Sequence, residues 1–295
     1  MNRYLKKGQV IKMPEKQGYY RIEQLAGSSP LGVVYKTIYS DESGKKSVHF
    51  LQEYNPKFVG VQRNPVDNAI CISEKEEKKF MRGLQDFMQC YNFQKQEFYN
   101  AYGTWYVDTC GTPEACYVET EERDLGSFLQ RMERVTEVIG KLHGEGYLHL
   151  NVNPESIYTS WENPEDVCLL DFGSIVQKRE IEEEKILFSY DRAWAAPELK
   201  AGNRKDICEA TDLFPIGEMI FCAINGRHSY PEERRSFSIY EAGRDLGLLE
   251  GATTSTFERV KEILSKTICN VPEKRYQHAA ELAESLRMVR FHCGI

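Results

Sequence analysis

The order in which local structural signals change along this chain constrains its fold most. Strand patterns fill the first third, and helical patterns fill nearly everything after Asp124. Weak alternation runs from Tyr19 to Ala26, Gly27-Ser28-Ser29-Pro30-Leu31-Gly32 makes a turn, and Val33 to Tyr39 is β-branched and aromatic. Asp41-Glu42-Ser43-Gly44 then turns the chain into Ser47 to Tyr54, so a hairpin leads into a third strand of a small antiparallel sheet. Glu74 to about Phe93 reads as a helix because Phe80, Leu84, Phe87 and Met88 recur at helical spacing. Two short strands, Thr104 to Thr109 and Ala115 to Glu119, are expected around Gly111-Thr112-Pro113. Beyond them, Leu125, Phe128, Leu129, Met132, Val135, Ile139 and Leu142 form one apolar stripe, and further helices are expected at 211–225, 254–268 and 278–290. Strands first and helices after define an α+β chain, with its candidate division near residues 119–124.

Composition narrows the function classes. Of 295 residues, 41% are hydrophobic and 28% charged, a balance that builds a packed core and argues against wholesale disorder. The net charge of −7 and the lack of a dense basic stripe disfavour a nucleic-acid partner, whose phosphates call for Lys and Arg. Met1 to Lys7 lacks the apolar run of a secretory signal. No stretch reaches the ~18 continuous apolar residues of a membrane span. The most apolar stretch, Leu213 to Ile224, contains Pro215 and Glu218 and reads as a buried helix. Nine cysteines, scattered from Cys71 to Cys293 without a C-x-x-C pair, fit free thiols in a reducing compartment, so a cytoplasmic location is expected.

Several short segments stand in a telling order. They are Gly27-x-Ser29-x-x-Gly32-x-Val34, His149-Leu150-Asn151-Val152-Asn153-Pro154-Glu155-Ser156, Asp171-Phe172-Gly173, Ala196-Pro197-Glu198, Asp212-x-x-x-x-Gly217 and Arg275 within Pro272 to Tyr276. In this order and spacing they resemble the glycine-rich loop, catalytic loop, DFG, APE and large-lobe helix motifs of the protein kinases. The stretch Gln52-Glu53-Tyr54-Asn55-Pro56 is similar to the third strand of bacterial Ser/Thr kinases, so a bacterial origin is expected. The resemblance covers nearly the whole chain. It implies a two-lobed fold, with a sheet-plus-helix N-lobe over residues 1–120 and a mainly helical C-lobe over 121–295.

What the resemblance assigns to each catalytic position is mostly lost. Phosphoryl transfer depends on positioning and on charge neutralisation. The lysine that holds the nucleotide phosphates aligns with Gln52, which supplies no positive charge. Two residues earlier, on the same strand face, Phe50 replaces a small residue and occupies space that adenine would need. The helix glutamate that pairs with the lysine aligns with Gln89, with Glu97 as a rival, and a Gln52–Gln89 amide pair would leave no buried charge unmatched. The catalytic aspartate aligns with Asn151, and removing a positioned base costs on the order of 10² to 10⁴ in rate. Asn153 stands for the lysine two residues on, Ser156 for a magnesium-binding asparagine, Leu150 for the arginine before the aspartate, and Asp191 for the threonine that buttresses it. In the nucleotide cleft implied by Gly27, Ser29, Gly32, Val34, Phe50 and Asp171, the middle glycine is Ser29 and Pro30 has no N–H to offer a phosphate. Lys36 is ordinary at its place and does not replace the missing lysine.

The architectural positions are better kept. Asp171 is the retained candidate for a metal ligand, with packing of Phe172 and backbone capping as its plainer role. Glu198 with Arg275 implies a buried ion pair, His149 and Phe172 fit the family's internal stack, and Asp212 is placed to bind backbone near His149. Cys110 with Cys116, and His143 with His149, match no common metal spacing. Glu180 to Glu184 is a solvated run or a docking strip for a basic partner, and Ser189 and Tyr190 are phosphate acceptors by location only. The expectation is a pseudokinase with no catalytic residue, no cofactor and no metal, acting as a scaffold or regulator for a protein partner, an active kinase among the candidates. A nucleotide-binding switch, or an enzyme that uses ATP in a non-standard transfer, is the alternative.

Overall fold

The computed structural model describes residues 3–28, 31–92, 97–110, 112–113, 125–159, 167–169, 175–183, 188–236 and 253–293. These fall into two compact units, one made of the described residues up to Thr112 and the other of those from Pro113 onward. The expected division at 119–124 and the strand expected at Ala115 to Glu119 lie outside the described residues.

The first unit holds β1 (Val10–Ile11), β2 (Tyr19–Ser28), β3 (Gly32–Ser40), β4 (Lys46–Tyr54), β5 (Gln62–Arg63), β6 (Ile70–Cys71), the helix α1 (Glu77–Asn92), β7 (Phe98–Ala101) and β8 (Thr104–Cys110). Six of the strands form one antiparallel sheet in the order β1-β2-β3-β4-β8-β7, and β5 pairs with β6. The hairpin and third strand expected from sequence are β2, β3 and β4. Central β4 is buried on both faces from His49 to Tyr54, so its side chains divide by alternation between two environments.

On one face, Tyr20, Ile22, Tyr35, Leu51 and Tyr106 pack with Ile11 of the edge strand β1 and with Leu5 and Met13, which flank that strand in sequence. Glu53 enters this core with no exposed surface. Its carboxylate is paired with the Arg63 guanidinium and accepts hydrogen bonds from the Tyr106 hydroxyl at 2.6 Å, Tyr35 at 3.2 Å and Asn55 Nδ2 at 3.1 Å. Arg63 in turn donates to the carbonyls of Arg3 and Asn68, each at 2.9 Å. On the other face lies α1, whose buried residues Phe80, Leu84, Phe87 and Tyr91 follow helical spacing. Tyr54 of β4 donates to the Phe80 carbonyl at 2.6 Å and packs against the Phe80 and Phe87 rings at 4.8 and 5.3 Å.

Strand β9 (Thr112–Pro113) stands where the two units divide. The second unit continues with α2 (Leu125–Gly144), β10 (Tyr147–Leu148), β11 (Ile157–Thr159), β12 (Val167–Leu169), β13 (Val176–Gln177), α3 (Pro197–Ala201), α4 (Glu209–Asn225), α5 (Glu233–Ser236), α6 (Thr254–Thr267) and α7 (Ala279–Cys293). β10 pairs with β13 and β11 with β12, both antiparallel. Helix α4 is buried from Ala210 to Asn225 and runs unbroken through Pro215 and Glu218. It meets α6 closely at Gly217, where a Cβ would come within 2.6 Å of the Thr267 side chain. The expected pair of Glu198 with Arg275 is present, buried and bidentate at 2.7 and 2.8 Å, and Thr211 Oγ1 adds a hydrogen bond to the same carboxylate at 2.8 Å. Among the described residues no helix is long and apolar enough to cross a membrane.

The Glu53 site gives a first test. Arg63→Leu leaves a carboxylate buried without its cation and should cost about 3–5 kcal/mol. Glu53→Leu combined with Arg63→Leu should recover part of that loss. Urea unfolding midpoints of the two variants against the parent measure both effects.

Candidate functional site

Among the described residues, the strand positions that the kinase resemblance singles out in the first unit fall on one face of the sheet. Across β2, β3 and β4, Gly27 is opposite Val34, Val34 opposite Gln52 and Lys36 opposite Phe50. Directly opposed residues share a face, so Gly27, Val34, Lys36, Phe50 and Gln52 stand together, on the side where Tyr54 meets α1. Val34, Phe50 and Gln52 are all buried. The Tyr91 hydroxyl of α1 donates to Gln52 Oε1. Gly32 is held to glycine by close approach: a Cβ there would lie 2.7 Å from the Glu53 carbonyl oxygen and 3.2 Å from Gln52 Nε2.

The described partner of Gln52 is thus Tyr91, a residue that sequence reasoning did not nominate. Its signal was the helical stripe, since it lies one turn beyond Phe87, but nothing in the pattern says that its hydroxyl meets β4. Gln89 lies on α1, with its side chain outside the described residues. The rival Glu97 is not on that helix; it precedes β7 and accepts from the Tyr99 hydroxyl. Ser29 and Pro30 are outside the described residues, as are Asp171, Phe172 and Gly173.

In the second unit, the segment from His149 to Ser156 is bonded to itself and to its immediate surroundings. Asn151 Oδ1 accepts the Asp191 backbone N–H at 2.6 Å, which ties together the two positions aligned with the catalytic aspartate and its buttress. Asn153 caps the short 3₁₀ turn Pro154–Ser156, its Oδ1 accepting from the N–H of Glu155 at 2.9 Å and of Ser156 at 3.1 Å. Ser156 Oγ reciprocates by accepting the Asn153 N–H at 3.1 Å, a capping box. Asn153 Nδ2 donates to the Asn151 carbonyl at 2.9 Å. The three positions that the kinase resemblance aligns with a base, a phosphate-binding cation and a metal ligand hold two amides and a hydroxyl, and in this structure these groups shape the loop.

The loop is anchored from beneath by Asp212 of α4. Its carboxylate accepts the N–H groups of His149 at 2.8 Å and Leu150 at 2.7 Å, and His143 Nε2 of α2 lies 2.8 Å from the same group. These bonds stabilise Leu150 in a left-handed conformation, φ +59°, which costs a non-glycine residue on the order of 1 kcal/mol. Burial alone would raise the Asp212 carboxyl. The hydrogen bond and charge of His143, with the His149 contributions, outweigh burial and hold it below the ordinary range. Both histidines considered for a metal site are thus engaged around this loop, His143 at Asp212 and His149 Nδ1 with the Asn151 N–H at 3.2 Å. The Cys110 side chain and Cys116 lie outside the described residues.

No family model matches the chain. It is 28% identical over 102 residues to the muscle M-line assembly protein unc-89 of Caenorhabditis elegans, a match covering 35% of this chain and 1% of that protein. It is also 28% identical over 155 residues to the serine/threonine-protein kinase/endoribonuclease IRE1 of Oryza sativa subsp. japonica, covering 50% of this chain and 16% of that protein. The chain therefore spans a small part of each relative, and the second match gives a distant kinase-like relationship over half of it.

Two outcomes follow from this geometry. Asn153→Ala removes the cap and should cost about 1 kcal/mol. Asn153→Lys, which reinstates the kinase residue type, should cost as much because the cap is lost all the same; urea midpoints decide. For Asp212 the folded pKa lies below the unfolded one, so the unfolded state binds the extra proton as pH falls. Its contribution is fully present above ~pH 4 and fades as pH drops towards the folded value. Unfolding midpoints between pH 7 and pH 3 should therefore fall less steeply for Asp212→Asn, from a lower start, than for the parent.

Proposed function

We propose that this chain is a pseudokinase, a two-lobed protein-kinase-like domain of bacterial Ser/Thr type that binds or regulates another protein and performs no phosphoryl transfer. The observation that carries the reading is the loop from Asn151 to Ser156, whose amides and hydroxyl are bonded to their own backbone and to Asp191. An amide oxygen accepts a hydrogen bond but does not take up a proton near neutral pH, so Asn151 is no general base. Gln52 adds a second ground. It is buried, uncharged and bonded to Tyr91 where a nucleotide-binding kinase needs a cation, and Phe50 is buried on the same face. The partial likeness to a protein named as a kinase supports the family, and the lost charges support inactivity. The kept pair of Glu198 with Arg275 and the Asp212 anchor preserve shape, which a docking protein uses and a decaying enzyme does not need. The partner proposed is a protein, an active kinase being the first to test.

A thermal-shift titration with ATP and Mg²⁺ checks this directly. A ligand at 100 times its Kd adds about 2.7 kcal/mol of stability. We expect no shift at millimolar ATP and no label moving from ATP to any acceptor. A shift without transfer would replace this reading by a nucleotide-sensing switch, and a shift with product by an enzyme of altered chemistry.

A further inference from the structure

We propose that Glu218, Cys222 and His228 form a site for a divalent transition metal of the zinc class. Glu218 and Cys222 stand four residues apart on α4 and so share one face of it. Gly226 ends that helix in a left-handed conformation, φ +66°, and the chain returns with His228 against the same face. One ligand atom from each residue lies within 4.8 Å of the other two. Tetrahedral zinc, with bonds of ~2.0–2.3 Å, needs ligand atoms roughly 3.5 Å apart. The set must therefore close by up to about 1.3 Å, and of the three side chains the imidazole of His228, 44% exposed, has the most freedom to move while Glu218 and Cys222 are buried.

Sulfur, imidazole nitrogen and carboxylate oxygen together suit zinc and its neighbours and select against magnesium and calcium. Outer groups already orient the carboxylate. Ser229 donates to Glu218 from its N–H at 2.8 Å and from Oγ at 2.6 Å, and Arg234 Nε donates to Ser229 Oγ at 2.6 Å. Arg234 is also the opposing charge, 3.6 Å from Glu218 Oε1. A Cys222 thiolate with the Glu218 carboxylate outweighs that one guanidinium, while Arg227 is engaged with Glu233 at 2.8 Å. On binding, the Cys222 thiol loses its proton to solvent. The His228 Nδ1 contact with Glu218 Oε1, 3.3 Å, gives way to one bond from each group to the metal. Trp194, its ring centroid 4.4 Å from that of His228, flanks the imidazole, and the exposed side leaves the fourth position to water.

All of these residues belong to the second unit, and the inference does not depend on the pseudokinase reading. Cobalt(II) tests it on the full, reduced, metal-stripped chain, because a thiolate ligand gives a sulfur-to-cobalt charge-transfer band in the near ultraviolet. One equivalent of Co²⁺ should produce the band, and Zn²⁺ should bleach it. Cys222→Ser should abolish it. His228→Ala, at a half-exposed position that leaves folding intact, should weaken Co²⁺ by more than the ~10- to 100-fold typical of losing an outer-shell partner. No band, or a band unchanged in His228→Ala or persisting in a folded Cys222→Ser through other thiols such as exposed Cys71, overturns the proposal.

Discussion

A buried carboxylate must be surrounded by donors, because stripping it of water without replacement costs several kcal/mol. Asp212 meets that demand with two consecutive backbone N–H groups and one imidazole, and in doing so dictates where the chain after β10 can run. The left-handed Leu150, the placement of Asn151 beside Asp191 and the start of the capped turn at Asn153 all follow from that anchor. If the carboxylate were lost, the N–H groups of His149 and Leu150 would be buried without an acceptor, and the loop would have no reason to hold its strained residue.

The same logic recurs in each unit with different donors. Glu53 is enclosed by Arg63, Tyr35, Tyr106 and Asn55 in the first, and Glu198 by Arg275 and Thr211 in the second. Each joins segments far apart in sequence, so each is a place where a single truncation leaves a charge stranded. By contrast, apart from Asp171, the positions that the kinase resemblance marks as chemical hold neutral groups, among them Gln52, Asn151, Asn153 and Ser156. Neutral amides satisfy one another and the backbone without a counter-charge. That suits residues whose task is to hold a shape, and it is the physical basis of the proposed pseudokinase.

Elements with strong periodicity were legible from the sequence. Helix α2 begins at Leu125, where its apolar stripe begins, and ends at Gly144, two residues past the last apolar residue of the stripe, Leu142; β2, β3 and β4 match their expected spans to within two residues. The short strands β1, β5 and β6 were not, because two residues carry no period to read. The packing of Leu5 and Met13, on either side of β1, into the sheet's core was equally hidden, since scattered apolar residues in a polar segment have no signature until something packs on them. The ion pair of Glu198 with Arg275 and the bonds from Asp212 were readable only through the resemblance, because partners 77 and 62 residues apart share no local signal.

Residue identity alone settled which charges this chain lacks: an amide at 52, 151 and 153 and a hydroxyl at 156 supply no cation and no base, whatever surrounds them. What those groups do instead was decided by tertiary structure. The Tyr91 hydroxyl on Gln52, the Asp191 N–H on Asn151, and the approach of His228 to Glu218 and Cys222 each depend on how far one segment lies from another, to within an ångström or so. Hydrogen bonds and metal bonds weaken steeply over that distance, whereas the one-dimensional pattern records only which face of a helix or strand a side chain leaves.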